Sequence, residues 1–289
     1  MKKLIDVCQI DAFTDVPFNG NPAGVVYSDE LSKEEMQLIA REFNVSETAF
    51  ISKSQKADFN LKWFTPSVEV KLCGHATIAS VHYLLQQGFI KNNSTITFST
   101  LSGILKCTAM NGIYSLNLPI PKLSIFEGDK EEVIRGILGE KIINTEKYPF
   151  MLDDGGYLYI YVSSLNELMN IKPNYNALLD LSSARKGYDA FTLFTMETIE
   201  KGNNAHLRFF APYYGINEDP VTGSANGPLL LVLRYLGLVE ENTEGKIFTF
   251  EQGDVLGRKG RIKVTYSPSK NELTISGKAV TVFKGEIIF

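Results

Sequence analysis

Glu47 sits in Val45-Ser46-Glu47-Thr48-Ala49-Phe50-Ile51, a stretch with the alternation and residue types of a strand. A carboxylate in such an apolar setting is poorly solvated. Its affinity for a proton rises, which suits a group that takes a proton from carbon and returns it. The plain alternative is an outward-facing strand carboxylate in water. His75 follows Gly74 at the start of an apolar run that reads as a helix. The positive end of the helix dipole favours its neutral imidazole, which can donate a hydrogen bond, although capping the helix or filling the core are ordinary uses of such a residue. Asp219 precedes Pro220, which keeps it out of helical conformation, and Thr222-Gly223-Ser224 then opens a second apolar helix. Helix starts offer N–H groups and a positive dipole end, so backbone at Gly74, Gly223 and Ser224 is a candidate cradle for a carboxylate. Asp219 and Ser224 are equally good ordinary caps. Cys73, just before Gly74, is either a reactive thiol at a helix start or a small buried residue.

The elements that position these residues come in two similar sets. Leu61-Lys62-Trp63-Phe64-Thr65-Pro66 recurs in type as Leu207-Arg208-Phe209-Phe210-Ala211-Pro212. Gly74-His75-Ala76 recurs 149 positions on as Gly223-Ser224-Ala225, and Gly88 and Gly237 keep that offset. The chain reads as a duplicated α+β protein with two pseudo-symmetric halves, 1–122 and 123–289. Each half is a curved, mostly antiparallel sheet wrapped around one central helix, and the last strand is free to cross back to the first half. A cleft between two such halves is where a small-molecule site is expected.

Ser32-Lys33-Glu34-Glu35 reads as a capping box for a helix ending near Asn44. Strands are expected over 5–13, 47–51 and 59–64, and the first central helix over 74–87. Strands 98–107 and 114–118 flank the hairpin signal Asn111-Gly112. The segment 123–145 carries a short helix over 131–138, and the second strand-rich part begins near Pro149. Strands at 158–162, 190–194 and 207 precede the second central helix, 224–236, and strands at 261–266, 272–276 and 280–288 close the sheet. Both central helices are apolar nearly all round and should be buried. His82, seven residues beyond His75, lies on the same face but deeper and reads as structural.

Composition narrows the class. The 289 residues, 44% hydrophobic, suffice for a substantial core in each half. No apolar run is long enough to span a bilayer, and the start, Met1-Lys2-Lys3-Leu4-Ile5-Asp6, has no signal-peptide core, so the expectation is a cytoplasmic protein with no membrane partner. A net charge of −4 with dispersed Lys and Arg provides no stripe for nucleic acid. Three widely spaced cysteines do not make a disulfide framework, and no metal-ligand spacing is present, so no metal is expected. The strings around Gly20-Asn21-Pro22-Ala23-Gly24 and Gly253-Asp254-Val255-Leu256-Gly257 match no phosphate-binding loop and read as turns; Arg258 beside the second reads as solvated or as reaching an anionic substrate.

Asp11-Ala12-Phe13, Gly20-Asn21-Pro22-Ala23-Gly24-Val25, Ser46-Glu47-Thr48-Ala49-Phe50, Leu72-Cys73-Gly74-His75-Ala76-Thr77, Asp219-Pro220-Val221-Thr222-Gly223-Ser224-Ala225 and Gln252-Gly253 with Gly257-Arg258 together resemble the PhzF phenazine-biosynthesis-like family, over essentially the whole chain. The resemblance implies a diaminopimelate epimerase-like fold and proton transfer without a cofactor. It implies Glu47 as general acid/base, His75 as a positioning or assisting group, Asp219 and Ser224 as further polar site residues, and a homodimer. Asn21 joins the candidates through its motif. Phenazine-forming members isomerise a dihydro-hydroxyanthranilate; the substrate class implied is a small carboxylate-bearing molecule. Racemases of this fold use two opposed thiols. Cys73 falls where the first would be, but the position 149 residues on is Thr222, so a two-thiol site is incomplete and a one-thiol epimerase remains the alternative, beside a binding protein without turnover.

Overall fold

The computed structural model describes residues 4–138, 147–184 and 187–288. Residues 139–145 of the expected segment 123–145, and Met1 to Lys3 of the expected leaderless start, lie outside them. The chain divides into two compact units, Met1–Leu118 with Arg258–Ile262 and Thr274–Phe289, and Pro119–Gly257 with Lys263–Leu273. The expected boundary after residue 122 thus falls at 118, and part of the expected C-terminal half belongs to the first unit.

In the first unit the order is β1 (Leu4–Ala12), β2 (Asn21–Tyr27), α1 (Lys33–Phe43), β3 (Glu47–Lys53), β4 (Phe59–Phe64), β5 (Glu69–Val70), α2 (Gly74–Gln86), β6 (Ser94–Thr100), β7 (Gly103–Met110) and β8 (Ile113–Leu118). β1 runs antiparallel to β2, and β2 parallel to β3. β4 is antiparallel to β3 and β5 but parallel to β6, and β6, β7 and β8 form an antiparallel meander. α2 is buried from Gly74 to Leu84 and packs against β1, β2, β3, β7 and β8, so the sheet curves around it. On the other side of β1–β3 lies α1. Its Met36 and Ile39 pack with Ile5, Val7, Val26, Phe50 and Phe64. The Ser32–Glu35 capping box starts α1, and left-handed Asn44 ends it.

The second unit contains β9 (Leu123–Ile125), α3 (Lys130–Leu138), β10 (Met151–Asp153), β11 (Tyr157–Tyr161), α4 (Leu165–Asn170), α5 (Tyr175–Ser183), β12 (Ala190–Thr195), β13 (Ala205–Ala211), β14 (Ile216–Asp219), α6 (Gly223–Tyr235) and β15 (Phe248–Gln252). β11 is parallel to β12, and β13 is antiparallel to β12 and β14 but parallel to β15. That is the pairing order of β2 through β6. α2 and α6 are both 13 residues long. Each is followed by a glycine at positive φ, +76° at Gly88 and +67° at Gly237.

β16 (Gly260–Ser267), β17 (Glu272–Gly277) and β18 (Ala279–Ile288) complete the chain. β18 pairs antiparallel with the whole of β1, from Leu4 opposite Ile288 to Ala12 opposite Ala279, with one bulge at Gln9/Ile10. Among the described residues no helix is long and apolar enough to cross a membrane.

Three sequence expectations are corrected. The strand expected over 98–107 is two strands, because Leu101 and Ser102 form a turn that leads into Gly103 at φ +96°. Asn21 to Gly24, expected as a turn, opens β2, and only Gly20 has the turn conformation, at φ +62°. Within that strand position 24 has room only for glycine, since a Cβ there would meet the Thr48 side chain at 2.7 Å. The third correction is α4 and α5, short helices capped by Ser164 and Asn174 that the sequence reading omits.

Candidate active site

Strand and helix ends bring Asn21, Ser46, Glu47, Cys73, Gly74 and His75 together in the first unit. Asn21 opens β2, Glu47 opens β3, and Cys73 is the N-cap of α2. His75 is the hub. Its Nδ1 lies 3.2 Å from Asn21 Nδ2 and 3.5 Å from Cys73 Sγ. Its Nε2 lies 3.3 Å from Ser46 Oγ and 3.5 Å from Glu47 Oε2. Ser46 Oγ also donates to Asn21 Oδ1 at 3.2 Å.

These contacts assign the proton on the ring. The Asn21 amide NH2 can only donate, so Nδ1 accepts and Nε2 carries the hydrogen. Nε2–H is then the donor to Ser46 Oγ, with Glu47 Oε2 3.5 Å from the same nitrogen, and the Ser46 hydroxyl passes its own hydrogen to Asn21. Burial pushes the His75 imidazole down to about 3, so it is neutral at physiological pH and its contact with Glu47 is no ion pair. The Glu47 side chain is itself 13% exposed. The arrangement sets a carboxylate beside a neutral imidazole whose Nε2–H reaches the Ser46 hydroxyl, which in turn donates to Asn21.

Among the described residues Glu47, Cys73 and His75 also place one oxygen, sulfur and nitrogen within 4.8 Å of one another, a set that suits zinc in type. Its geometry does not suit one ion. Cys73 faces Nδ1 and Glu47 faces Nε2, on different edges of the ring, and an imidazole binds a metal in its plane through one nitrogen.

In the second unit Asp219 ends β14, and Thr222, Gly223 and Ser224 begin α6. Thr222, at the position equivalent to Cys73, donates from Oγ1 to Asp219 Oδ2 at 2.5 Å. Gln252 braces this corner. Its Oε1 accepts from Thr222 N at 2.9 Å and Asn226 Nδ2 at 2.7 Å, and its Nε2 donates to the Asp219 carbonyl at 2.8 Å. Ser224 Oγ lies 3.3 Å from the Tyr157 hydroxyl. As with Cys73, the Thr222 side chain makes no cap hydrogen bond to its helix.

Each sequence candidate therefore falls in one of two clusters, Asn21, Glu47, Cys73, Gly74 and His75 in the first unit and Asp219, Gly223 and Ser224 in the second. Ser46, Asn226 and Gln252 are not singled out by the sequence, although Ser46 and Gln252 lie in the quoted motifs, and Thr222 is noted there only as the counterpart of Cys73. His82 is structural as expected: Nδ1 meets Tyr114 Oη at 2.9 Å and Nε2 meets Thr281 Oγ1 at 3.0 Å. Cys8, Cys73 and Cys107 are free thiols, all buried.

A mixed sheet curved about a buried helix, repeated in the pairing order of each unit, is a diaminopimelate epimerase-like fold. A predicted epimerase from Pseudomonas aeruginosa shares it, with a TM-score of 0.78 at 19% identity over 98% of this chain and 99% of that one. Residues 10–285 match the family model of the phenazine biosynthesis-like proteins, and the chain belongs to that family. A PhzF-family protein of known structure from Bacillus anthracis is 30% identical with a TM-score of 0.88, covering 99% of this chain and 100% of that one. An uncharacterized isomerase of Clostridium acetobutylicum is 39% identical over 100% of this chain and 99% of its own length.

Proposed function

We propose that this protein is an isomerase that moves a carbon-bound proton within a small carboxylate-bearing metabolite, without a cofactor. Glu47 removes the proton and delivers it to a second carbon, and a double bond shifts between them, so no net oxidation occurs. The observation that carries the reading is Glu47 Oε2 3.5 Å from the Nε2 of a neutral, buried His75. A neutral imidazole orients the carboxylate without competing for its proton. The backbone at Gly74 is proposed to hold the substrate carboxylate at the start of α2. Asp219, Gly223 and Ser224 are proposed, on their motif, as further substrate-orienting residues. The isomerase name of the Clostridium acetobutylicum relative supports the reaction class. The repeated pairing order is read as an internal duplication, and the protein as a cytoplasmic homodimer, which light scattering checks.

The test is incubation of wild type and Glu47→Gln in D2O with a panel of small carboxylates including dihydro-hydroxyanthranilate, followed by NMR. Deuterium uptake or double-bond migration that is lost in Glu47→Gln is the expected result; full exchange by Glu47→Gln overturns it. A second reading, a one-thiol epimerase, draws on Cys73 Sγ lying 3.5 Å from His75 Nδ1. It requires activity that is lost in Cys73→Ser and kept in Glu47→Gln.

A further inference from the structure

Arg258 follows Gly257, which leaves a single helical turn in left-handed conformation at φ +66°. Its side chain, 26% exposed, is committed to acceptors within the protein. Nη2 donates to Asp11 Oδ1 at 2.7 Å and to the Asn19 carbonyl at 3.1 Å, and Nε donates to the Gly20 carbonyl at 3.0 Å. Asp11 is fully buried, and its second oxygen accepts from Phe18 N at 2.7 Å. The next residue along, Lys259, adds two backbone ties: its N–H donates to Asn19 Oδ1 at 3.1 Å and its carbonyl accepts from Gly20 N at 2.9 Å.

These bonds converge on the loop that delivers Asn21. The loop contains two bulky residues at positive φ, Phe13 at 63° and Phe18 at 69°, conformations such side chains adopt only when their surroundings impose them. Gly20 turns so tightly that a Cβ would sit 2.1 Å from the Ala12 carbonyl oxygen. The following residue, Asn21, presents its NH2 to His75 Nδ1. A shift at Gly20 would move that amide, and the imidazole would lose the donor that keeps the hydrogen on Nε2, facing Glu47.

We infer that Arg258 and Asp11 are positioning residues that hold the 13–20 loop so that Asn21 fixes the tautomer and orientation of His75. The fork geometry is essential to this role. Three acceptors are gripped from one planar group, which the point charge of a lysine does not reproduce. The effect on turnover rests on the proposed isomerase reading; the effect on His75 does not.

The experiment reads the 15N resonances of His75 in substrate-free wild type, Arg258→Ala, Arg258→Lys and, as a reference for loss of the amide, Asn21→Ala. Wild type is expected to show an unprotonated Nδ1 and a protonated Nε2. Both Arg258 variants are expected to move toward the averaged pair of signals seen in Asn21→Ala. Where Arg258→Ala does not fold, Arg258→Lys, which keeps a cation beside buried Asp11, carries the test. With a substrate in hand, the exchange rate at saturation is expected to fall roughly 10- to 100-fold with KM little changed, the usual consequence of loosening a supporting contact. His75 signals identical to wild type in a folded Arg258 variant overturn the inference. If the signals shift while Glu47→Gln retains activity, the positioning role stands and the isomerase reading falls.

Discussion

His75 Nε2 faces Glu47 Oε2 at 3.5 Å while the ring is held neutral by burial, so the pair is a carboxylate beside a hydrogen-bond donor and not an ion pair. Under the acid/base role proposed for Glu47, removing the carboxylate charge without changing its shape should suppress turnover and leave the fold alone. Glu47→Gln is expected to lower the exchange rate by roughly 10²- to 10⁴-fold, the usual weight of a general acid/base. Its thermal midpoint should stay close to that of wild type, read by circular dichroism on the same samples.

Neutral burial of His75 has a signed consequence for stability. The unfolded imidazole takes up a proton below a pH of about 6.5, whereas the folded one does so only at about 3. Its contribution is therefore fully present above 6.5 and is lost as pH falls toward 3, by on the order of 1 kcal/mol per pH unit. Buried Asp153, pushed up to about 6, works in the opposite sense, so the net slope mixes groups. The contribution of His75 appears as a difference: between pH 6 and 5, urea midpoints of wild type should fall more steeply than those of His75→Gln.

Glu251 anchors a loop of the second unit from a fully buried position. It accepts from Ile199 N at 2.7 Å, Glu200 N at 2.8 Å, Asn203 Nδ2 at 2.7 Å and His206 Nδ1 at 3.0 Å. These donors hold its carboxyl down to about 2 against the cost of burial. Glu251→Gln replaces one acceptor by a donor and should cost about 2–4 kcal/mol by urea denaturation. Wild type should lose the same stabilisation as pH drops from about 4.5 toward 2.

Gly20→Ala combines a left-handed backbone with the 2.1 Å approach to the Ala12 carbonyl. It should destabilise by more than about 1 kcal/mol, since an alanine is incompatible with the native φ. Gly88→Ala is the comparison: φ is +76° there, but a Cβ meets nothing within 4 Å. Its thermal midpoint should fall less.

Local signals carried much of this fold. Ser32 and Glu35 marked the start of α1, Gly88 and Gly237 the ends of the two buried helices, and Asn111-Gly112 a hairpin, because caps and turns are decided by near neighbours. β2 was hidden by its own composition. Asn21-Pro22-Ala23-Gly24 reads as a turn, yet pairing with β1 and β3 imposes a strand. Glu47 and His75 were found through motifs, but the partners that set their chemistry are distant in sequence. Ser46 meets Asn21 across 25 positions and Gln252 meets Thr222 across 30, so neither role leaves a periodic trace. Arg258 acts on Gly20 from 238 positions away.

The interleaving of the two units orders events during synthesis. Asn21, Glu47 and His75 leave the ribosome early, but β18, which pairs with β1, and Arg258, which ties the loop before Asn21, are translated after nearly all of the second unit. The unit begun first is finished last. A nascent chain reaching only to Gly257 would carry Glu47 and His75 on an unsealed sheet, with the edge of β1 open to stray strands. The loop that seats Asn21 beside His75 would thus stay untied until Arg258 is made, and the edge of β1 would stay uncovered until β18 follows.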